Sequence, residues 1–112
     1  MRVYHLKNCD TCRKAVKEID AAGLSPDYRD VRADGVDAAD LAAIISAVGW
    51  ERALNRRSTT WRGLSEAQKA DMSAAKAAAL ITEHPTLLKR PAIIDGDRVT
   101  AGWDPTAKGT WL

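Results

Sequence analysis

Cysteine is scarce in this sequence: Cys9 and Cys12 are the only two among 112 residues. Two cysteines are too few for the disulfide framework of a small secreted domain. No apolar run approaches the roughly 18–20 residues of a membrane-spanning helix, so we expect no membrane partner. The N-terminal apolar segment is also too short for a secretory signal peptide, which favours a cytoplasmic protein with reduced thiols.

A strong charge of either sign is also missing. The 17 basic and 15 acidic residues give a formal net charge of +2. That balance does not indicate a nucleic acid as partner, because such binding depends on clustered basic side chains. The sequence contains no linker, repeat or low-complexity tract. We therefore expect one domain over residues 1–112, acting as a monomer.

Hydrophobic patterning predicts a β-α-β unit at the start of the chain. Residues 2–6 are typical of a short strand, and apolar side chains recur at helical spacing over 10–22 until Gly23. A second, more polar strand is predicted over 26–32, and its polarity suggests the edge of a sheet. A β-α-β unit of this length joins two parallel strands.

The middle of the chain is predicted to be helical. One helix is expected over 37–49, followed by a short helix and an exit loop over 50–57. Residues 58–65 show no clear period and are predicted to be a loop. Ser65 and Ser73 resemble the N-caps of two further helices.

A β-hairpin is predicted near the end of the chain, from strands over 91–95 and 98–101. A β-α-β unit joined to such a hairpin is the outline of an α/β, thioredoxin-like fold with a mixed four-stranded sheet. The core of that fold would span about residues 1–34 and 86–112. A helical insertion over about 35–85 would interrupt it.

The two cysteines form a CxxC motif between the first strand and the first helix, and the motif has several interpretations. A zinc site needs about four ligands, and only His5 and His84 are available to complete it, so no metal is expected. A structural disulfide across three residues would close almost no loop. Two unconnected thiols are a third interpretation.

A pair of reactive thiols is the fourth interpretation. Cys9 lies at a helix N-terminus, where unpaired N–H groups and the helix dipole favour a thiolate. Cys12, one turn further on, is placed to resolve a mixed disulfide at Cys9. The N–H groups of residues 10–12, Thr11 among them, would surround an oxyanion bound over Cys9.

An oxyanion at this helix terminus would usually be held by arginines as well, because the guanidinium matches its geometry. The candidates are Arg57 and Arg90, with Arg56 as the next choice. A solvated surface charge is the alternative for each, and above all for Arg56. Pro91 stands where a thioredoxin-like fold has a cis-proline facing the cysteines.

Three segments resemble the arsenate reductase (ArsC)/Spx family, and above all its small YffB-like branch. They are YHLKNCDTCRKA at 4–15, NRRSTTWR at 55–62 and LLKRPAIID at 87–95. Their order and separations match the family, and the resemblance runs over essentially the whole chain. Any one segment alone would be weak evidence for the family, but the three together are specific for it.

The resemblance implies a role for individual residues. Cys9 matches the nucleophile, and His5 matches a histidine that favours its thiolate, although a packed strand histidine is an alternative. Arg57 and Arg90 match oxyanion-binding arginines. Cys12 matches a position that holds cysteine in Spx-type members.

One difference from the family bears on the substrate. Arsenate reductases of this type resemble each other in a further arginine at or after the last strand, where this chain has Gly102 and Trp103. The difference favours a thiol-dependent reductase that holds no bound cofactor and uses glutathione as co-substrate. Its substrate would be a small-molecule disulfide or oxyanion. The alternative is an Spx-like redox-sensing regulator that binds RNA polymerase.

Overall fold

The computed structural model describes all 112 residues, which form four strands and eight helical segments. In chain order these are β1 (Arg2–His5), α1 (Asp10–Ala21), β2 (Asp27–Asp30), α2 (Val31–Asp34), α3 (Ala38–Val48), α4 (Trp50–Ala53), α5 (Thr59–Arg62), α6 (Glu66–Lys69), α7 (Ala74–Glu83), β3 (Ala92–Asp95), β4 (Arg98–Ala101) and α8 (Pro105–Trp111). A 3-10 turn at Pro85–Leu87 follows α7. None of the helices has the length and apolar character that a membrane crossing requires.

The four strands form one mixed sheet in the order β2-β1-β3-β4. β1 pairs with β2 in parallel, whereas β3 pairs antiparallel with both β1 and β4. This arrangement confirms the predicted thioredoxin-like α/β fold with its β-α-β unit and hairpin. It also confirms the prediction that the polar strand β2 lies at an edge.

Side chains alternate between the two faces of the sheet, so that each face has its own core. On one face Val3 and Ile93 pack with Ile19 of α1 and Trp111 of α8. On the other face Tyr4 belongs to a larger buried cluster that includes side chains from the helices between β2 and β3. The protein is therefore a three-layer structure with the sheet in the middle.

Capping side chains explain two differences from the predicted elements. The second strand was expected to reach residue 32, but it ends at Asp30, whose carboxylate accepts hydrogen bonds from the amides of Arg32 and Ala33. These bonds begin the helical turn α2. Residues 58–65 are likewise not a plain loop, because the Ser58 hydroxyl accepts from the Trp61 amide and caps α5. The predicted N-caps at Ser65 and Ser73 are confirmed.

The strand register brings three chain segments to the same end of the sheet. Tyr4 lies opposite Ala92, and Ala92 lies opposite Ala101. Because β3 runs antiparallel to both neighbours, the end of β1, the start of β3 and the end of β4 are adjacent there. The loop that carries the cysteines, the segment before β3 and the segment after β4 therefore meet.

A partly buried polar network around Tyr4 fixes the helical layer to the sheet. The hydroxyl of Tyr4, a residue that is 1% exposed, donates to Asp40 of α3 over 2.5 Å and accepts from the Asp37 amide over 3.3 Å. Arg2 also donates to the Asp40 carboxylate over 2.8 Å. Together these bonds hold the start of α3 against β1.

We expect Tyr4→Phe to lower the free energy of unfolding by about 1–3 kcal/mol, because it removes a hydrogen bond from a buried hydroxyl to the partly buried Asp40 carboxylate. Tyr28→Phe is the matched control, since the Tyr28 hydroxyl also bonds an aspartate, Asp20, over 3.1 Å, but at an exposed position. Its loss should stay within about 0.5 kcal/mol. Urea unfolding of both variants measures the difference, and equal losses would contradict the role of the network.

Candidate active site

The candidate site is built on the N-terminus of α1. Three buried side chains, Cys12, Ala15 and Ile19, lie along one face of this helix and hold it in place. Cys9 is the N-cap residue: its amide donates to the Leu6 carbonyl over 3.1 Å, and its own carbonyl accepts from the Arg13 amide over 2.9 Å. The helix start is therefore fixed directly after β1.

The backbone donors of the first turn of α1 have no partner except the Cys9 sulfur, to which the Cys12 amide donates. No side chain caps the helix, and the amides of Asp10, Thr11 and Cys12 donate to no protein oxygen. Thr11 itself is exposed. Free N–H groups at the positive end of a helix dipole attract a negative charge, either the sulfur of Cys9 or an anion bound beside it.

The local environment favours the thiolate form of Cys9. Burial is the largest single effect on its pKa and acts to raise it. Hydrogen bonding from the backbone and thiol of Cys12, together with the charge and hydrogen bonding of Arg90, acts in the opposite direction and lowers the pKa below the ordinary cysteine value. Cys9 is only half-buried, so its sulfur is accessible to a substrate.

Cys12 differs sharply from Cys9. Its side chain is fully buried, and burial raises its pKa to about 12, with the neighbouring Cys9 adding to the increase. The two residues are free thiols. One helical turn thus separates an accessible thiol that ionises readily from a buried thiol that remains protonated.

Arg90 is the cation that acts on Cys9. Its Nη1 donates to the backbone carbonyls of Thr86 and Leu88, the latter over 3.1 Å. Its buried Nε has no hydrogen-bond partner in the protein. The peptide bond between Arg90 and Pro91 is cis, as expected for a thioredoxin-like fold.

Arg57 lies in the loop after α4, where its amide donates to the Asn55 side chain over 3.1 Å. Its guanidinium is exposed and forms no ion pair, and it is not among the groups that affect the Cys9 pKa. Arg56 beside it lies 6.0 Å from the centre of the Trp50 ring. The structure therefore places Arg90 at the thiol and both loop arginines along a neighbouring cleft.

His5 is not joined to Cys9 by any hydrogen bond. Alternation along β1 directs Tyr4 to one face of the sheet and His5 to the other, where the His5 ring meets Tyr28 edge-on at 5.6 Å. Burial lowers the pKa of His5, Asp30 opposes that shift, and Cys9 is not among the groups that contribute. A role of His5 at the thiol stays a prediction.

The neighbouring cleft contains a residue, Lys89, to which the sequence motifs gave no role. It has a volume of about 510 Å³, and its lining includes Lys89, Gly102 and Trp103 together with both loop arginines. Lys89 precedes Arg90 within the KRP segment, which is the one sequence signal that pointed to it. No three side chains of His, Cys, Asp or Glu lie close enough together to hold a metal ion.

Comparison with known proteins gives consistent matches over nearly the full chain. The model of the ArsC family matches residues 4–109. An uncharacterized protein of Haemophilus influenzae is 37% identical over 102 residues, which cover 91% of this chain and 90% of that protein.

Two solved structures are also similar. The YffB (PA3664) protein is 39% identical, with a TM-score of 0.92 over 99% of this chain and 97% of that chain. An arsenate reductase (ArsC) related protein from Brucella melitensis is 32% identical, with a TM-score of 0.73 over 98% of this chain and 92% of its own. The likeness thus extends to fold and sequence alike.

The local geometry predicts how Cys9 reactivity depends on pH. In Arg90→Gln the positive charge beside the sulfur is lost, so we expect the midpoint of Cys9 alkylation by iodoacetamide to move to higher pH. Arg90→Lys keeps the charge and should show a smaller shift, and Arg57→Gln should leave the midpoint unchanged. An Arg90→Gln profile that overlays the wild-type curve would contradict the assignment, provided that urea unfolding shows the variant to be folded.

Proposed function

The chain belongs to the ArsC family, and we propose that it is a thiol-dependent reductase in which Cys9 attacks a disulfide, with glutathione as co-substrate. The proposal rests chiefly on one observation. Two thiols one helical turn apart have pKa values shifted in opposite directions, downward at the accessible Cys9 and upward at the buried Cys12. Such a difference suits a nucleophile followed by a resolving thiol.

In the first proposed step, the Cys9 thiolate attacks the glutathione sulfur of a mixed disulfide between glutathione and a second thiol. The Cys9–glutathione bond forms as the substrate S–S bond breaks, and the second thiol leaves as a thiolate that takes a proton from solvent. Arg90 and the free amides of α1 hold negative charge near the reacting sulfur. This step needs no change in the fold, because Cys9 is already accessible.

In the second step the adduct is resolved in one of two ways. Cys12 can lose its proton and attack the Cys9 sulfur, which releases glutathione and leaves a Cys9–Cys12 disulfide; the dithiol has then supplied two electrons. Alternatively, free glutathione attacks the adduct, restores the Cys9 thiol and leaves as oxidised glutathione. The intramolecular disulfide is in turn reduced by two glutathione molecules, which leave as one oxidised glutathione.

Resolution by Cys12 should be slow at neutral pH. A thiol of pKa about 12 is ionised to only about one part in 10⁵ at pH 7. Once Cys9 is held in a mixed disulfide, its negative charge no longer opposes ionisation of Cys12, but burial still does. The glutathione adduct on Cys9 should therefore accumulate before Cys12 resolves it.

Arsenate is a second possible substrate of the same site, since the free amides of α1 and Arg90 suit any oxyanion. The one arginine of the last strand, Arg98, lies opposite Asp95 at the end of the sheet away from Arg90 and pairs with that carboxylate over 3.1 Å. Gly102, Trp103 and Asp104 follow the strand. We therefore propose disulfides as the better substrates. An arsenate-reduction assay with glutathione as donor tests this preference for disulfides. Faster turnover of arsenate than of a glutathione mixed disulfide would contradict it.

The redox-regulator alternative depends on a contact with RNA polymerase. The resemblance to Spx implies that a glycine of the helical insertion, Gly49 here, would support this contact. Gly49 has a local role in this structure: it follows α3 with a φ of 85° and donates its amide to the Ile45 carbonyl. That role needs no partner. Capture of purified polymerase by the oxidised and reduced protein would test the alternative.

We expect intact-mass analysis with oxidised glutathione to show one adduct of glutathione mass, located on Cys9. In the wild-type protein the adduct should accumulate first and then convert slowly to an intramolecular disulfide. In Cys12→Ser it should persist, because the resolving thiol is absent.

Cys9→Ser is the control for this experiment, and it should gain no adduct under the same conditions. Thermal unfolding of each variant checks that the fold is intact. An adduct on Cys12, or an absence of adduct from the folded wild-type protein, would overturn the proposed function.

A further inference from the structure

A cleft beside the thiol site is rich in unpaired positive charge. It lies between the loop after α4 and the segment after β4, and it has a volume of about 510 Å³. Arg56, Arg57 and Lys89 line it, and none of the three forms an ion pair. The fourth cation, Arg52, is neutralised by Asp104 at 2.6 Å. Glu51 is the remaining carboxylate of the lining, so positive charge is in excess.

Lys89 is held in this cleft by the backbone around it. Its amide donates to the Ala53 carbonyl over 2.7 Å, which ties it to the end of α4. Its side chain crosses Gly102, where a Cβ atom would lie 3.4 Å from the Lys89 Cε. Gly102 also has a φ of +95°, which side chains rarely tolerate. A glycine at this position thus leaves the space along which Lys89 extends.

The cleft adjoins the segments that carry the Cys9 site. The Gly102 amide donates to the Pro91 carbonyl over 3.0 Å, and Pro91 follows Arg90, the cation that acts on Cys9. The Trp103 indole donates to Glu18 of α1, the helix that carries both thiols. Two residues of the cleft lining are therefore bonded to the segments that carry Arg90 and Cys9.

We propose that Lys89, extended across Gly102, is a specificity-determining residue that selects disulfides bearing carboxylates over neutral ones. This inference rests on the proposed function. One half of the substrate occupies the Cys9 sulfur, and its carboxylate arm lies in the cleft against Lys89 and the loop arginines. The charges are complementary, and the cleft is large enough for a peptide-sized arm.

The rate of adduct formation on Cys9 tests this specificity with two disulfides of different charge. For oxidised glutathione, which carries carboxylates, we expect Lys89→Gln to lower the second-order rate constant by about 5- to 10-fold. For 2-hydroxyethyl disulfide, which is neutral, the rate constant should change by less than about 2-fold. Lys89→Arg should restore most of the rate with oxidised glutathione.

Lys17→Gln is the matched control, because it removes one exposed cation of the same type from α1, outside the cleft. It should leave both rate constants unchanged. Equal losses with both disulfides in Lys89→Gln, no loss with oxidised glutathione, or an equal loss in Lys17→Gln would overturn the specificity role.

A binding measurement separates this inference from the proposed function. S-methylglutathione has the carboxylates but no thiol to exchange, and its affinity for the Cys9→Ser protein can be followed by NMR titration. We expect Lys89→Gln in that background to weaken binding by about 5- to 10-fold. If Lys89 governs this binding and no adduct forms on the wild type, only the reductase proposal fails. If the adduct forms on the wild type, and Lys89→Gln changes neither the rate of adduct formation nor the affinity for S-methylglutathione, only the specificity role fails.

Discussion

The antiparallel pairing of β3 with β1 is the constraint on which the rest of the site depends. It places Ala92 opposite Tyr4 and so brings the residues just before β3 to the end of β1, where Cys9 begins α1. Neither Cys9 nor Arg90 has this environment from its own segment alone. The pairing joins a helix start with free amides to an arginine that is more than 80 residues away in the chain, and the pKa of Cys9 reflects both.

The sheet and most of the helices could be predicted from the sequence because their signals are local. Alternating or helical hydrophobic spacing, together with the capping serines, identifies the elements. The misses are also local but depend on single hydrogen bonds. Asp30 turns the chain into α2 two residues earlier than the strand pattern suggested, and Ser58 organises a helical turn in a stretch without hydrophobic period.

The site was predictable only in part. The position of Cys9 at a helix N-terminus follows from a strand, a CxxC motif and a helix in succession. The different positions of the cations could not be predicted in this way, because they depend on which loops meet at one end of the sheet. Arg90 acts on the sulfur, whereas Arg57 lines a cleft. The KRP segment includes Lys89, but its place in the cleft depends on Ala53 and on Gly102, which follows β4, so the sequence did not show its role.

The free amides at the start of α1 have a consequence for the redox balance of the protein. They favour a charged Cys9 only while the helix is folded, so at pH values where Cys9 is ionised they stabilise the folded dithiol form relative to the unfolded chain. Oxidation to a disulfide removes that charge and its stabilisation. A dithiol stabilised in this way gives up electrons less readily, and the contacts that make Cys9 a good nucleophile therefore also make the Cys9–Cys12 pair a stronger oxidant.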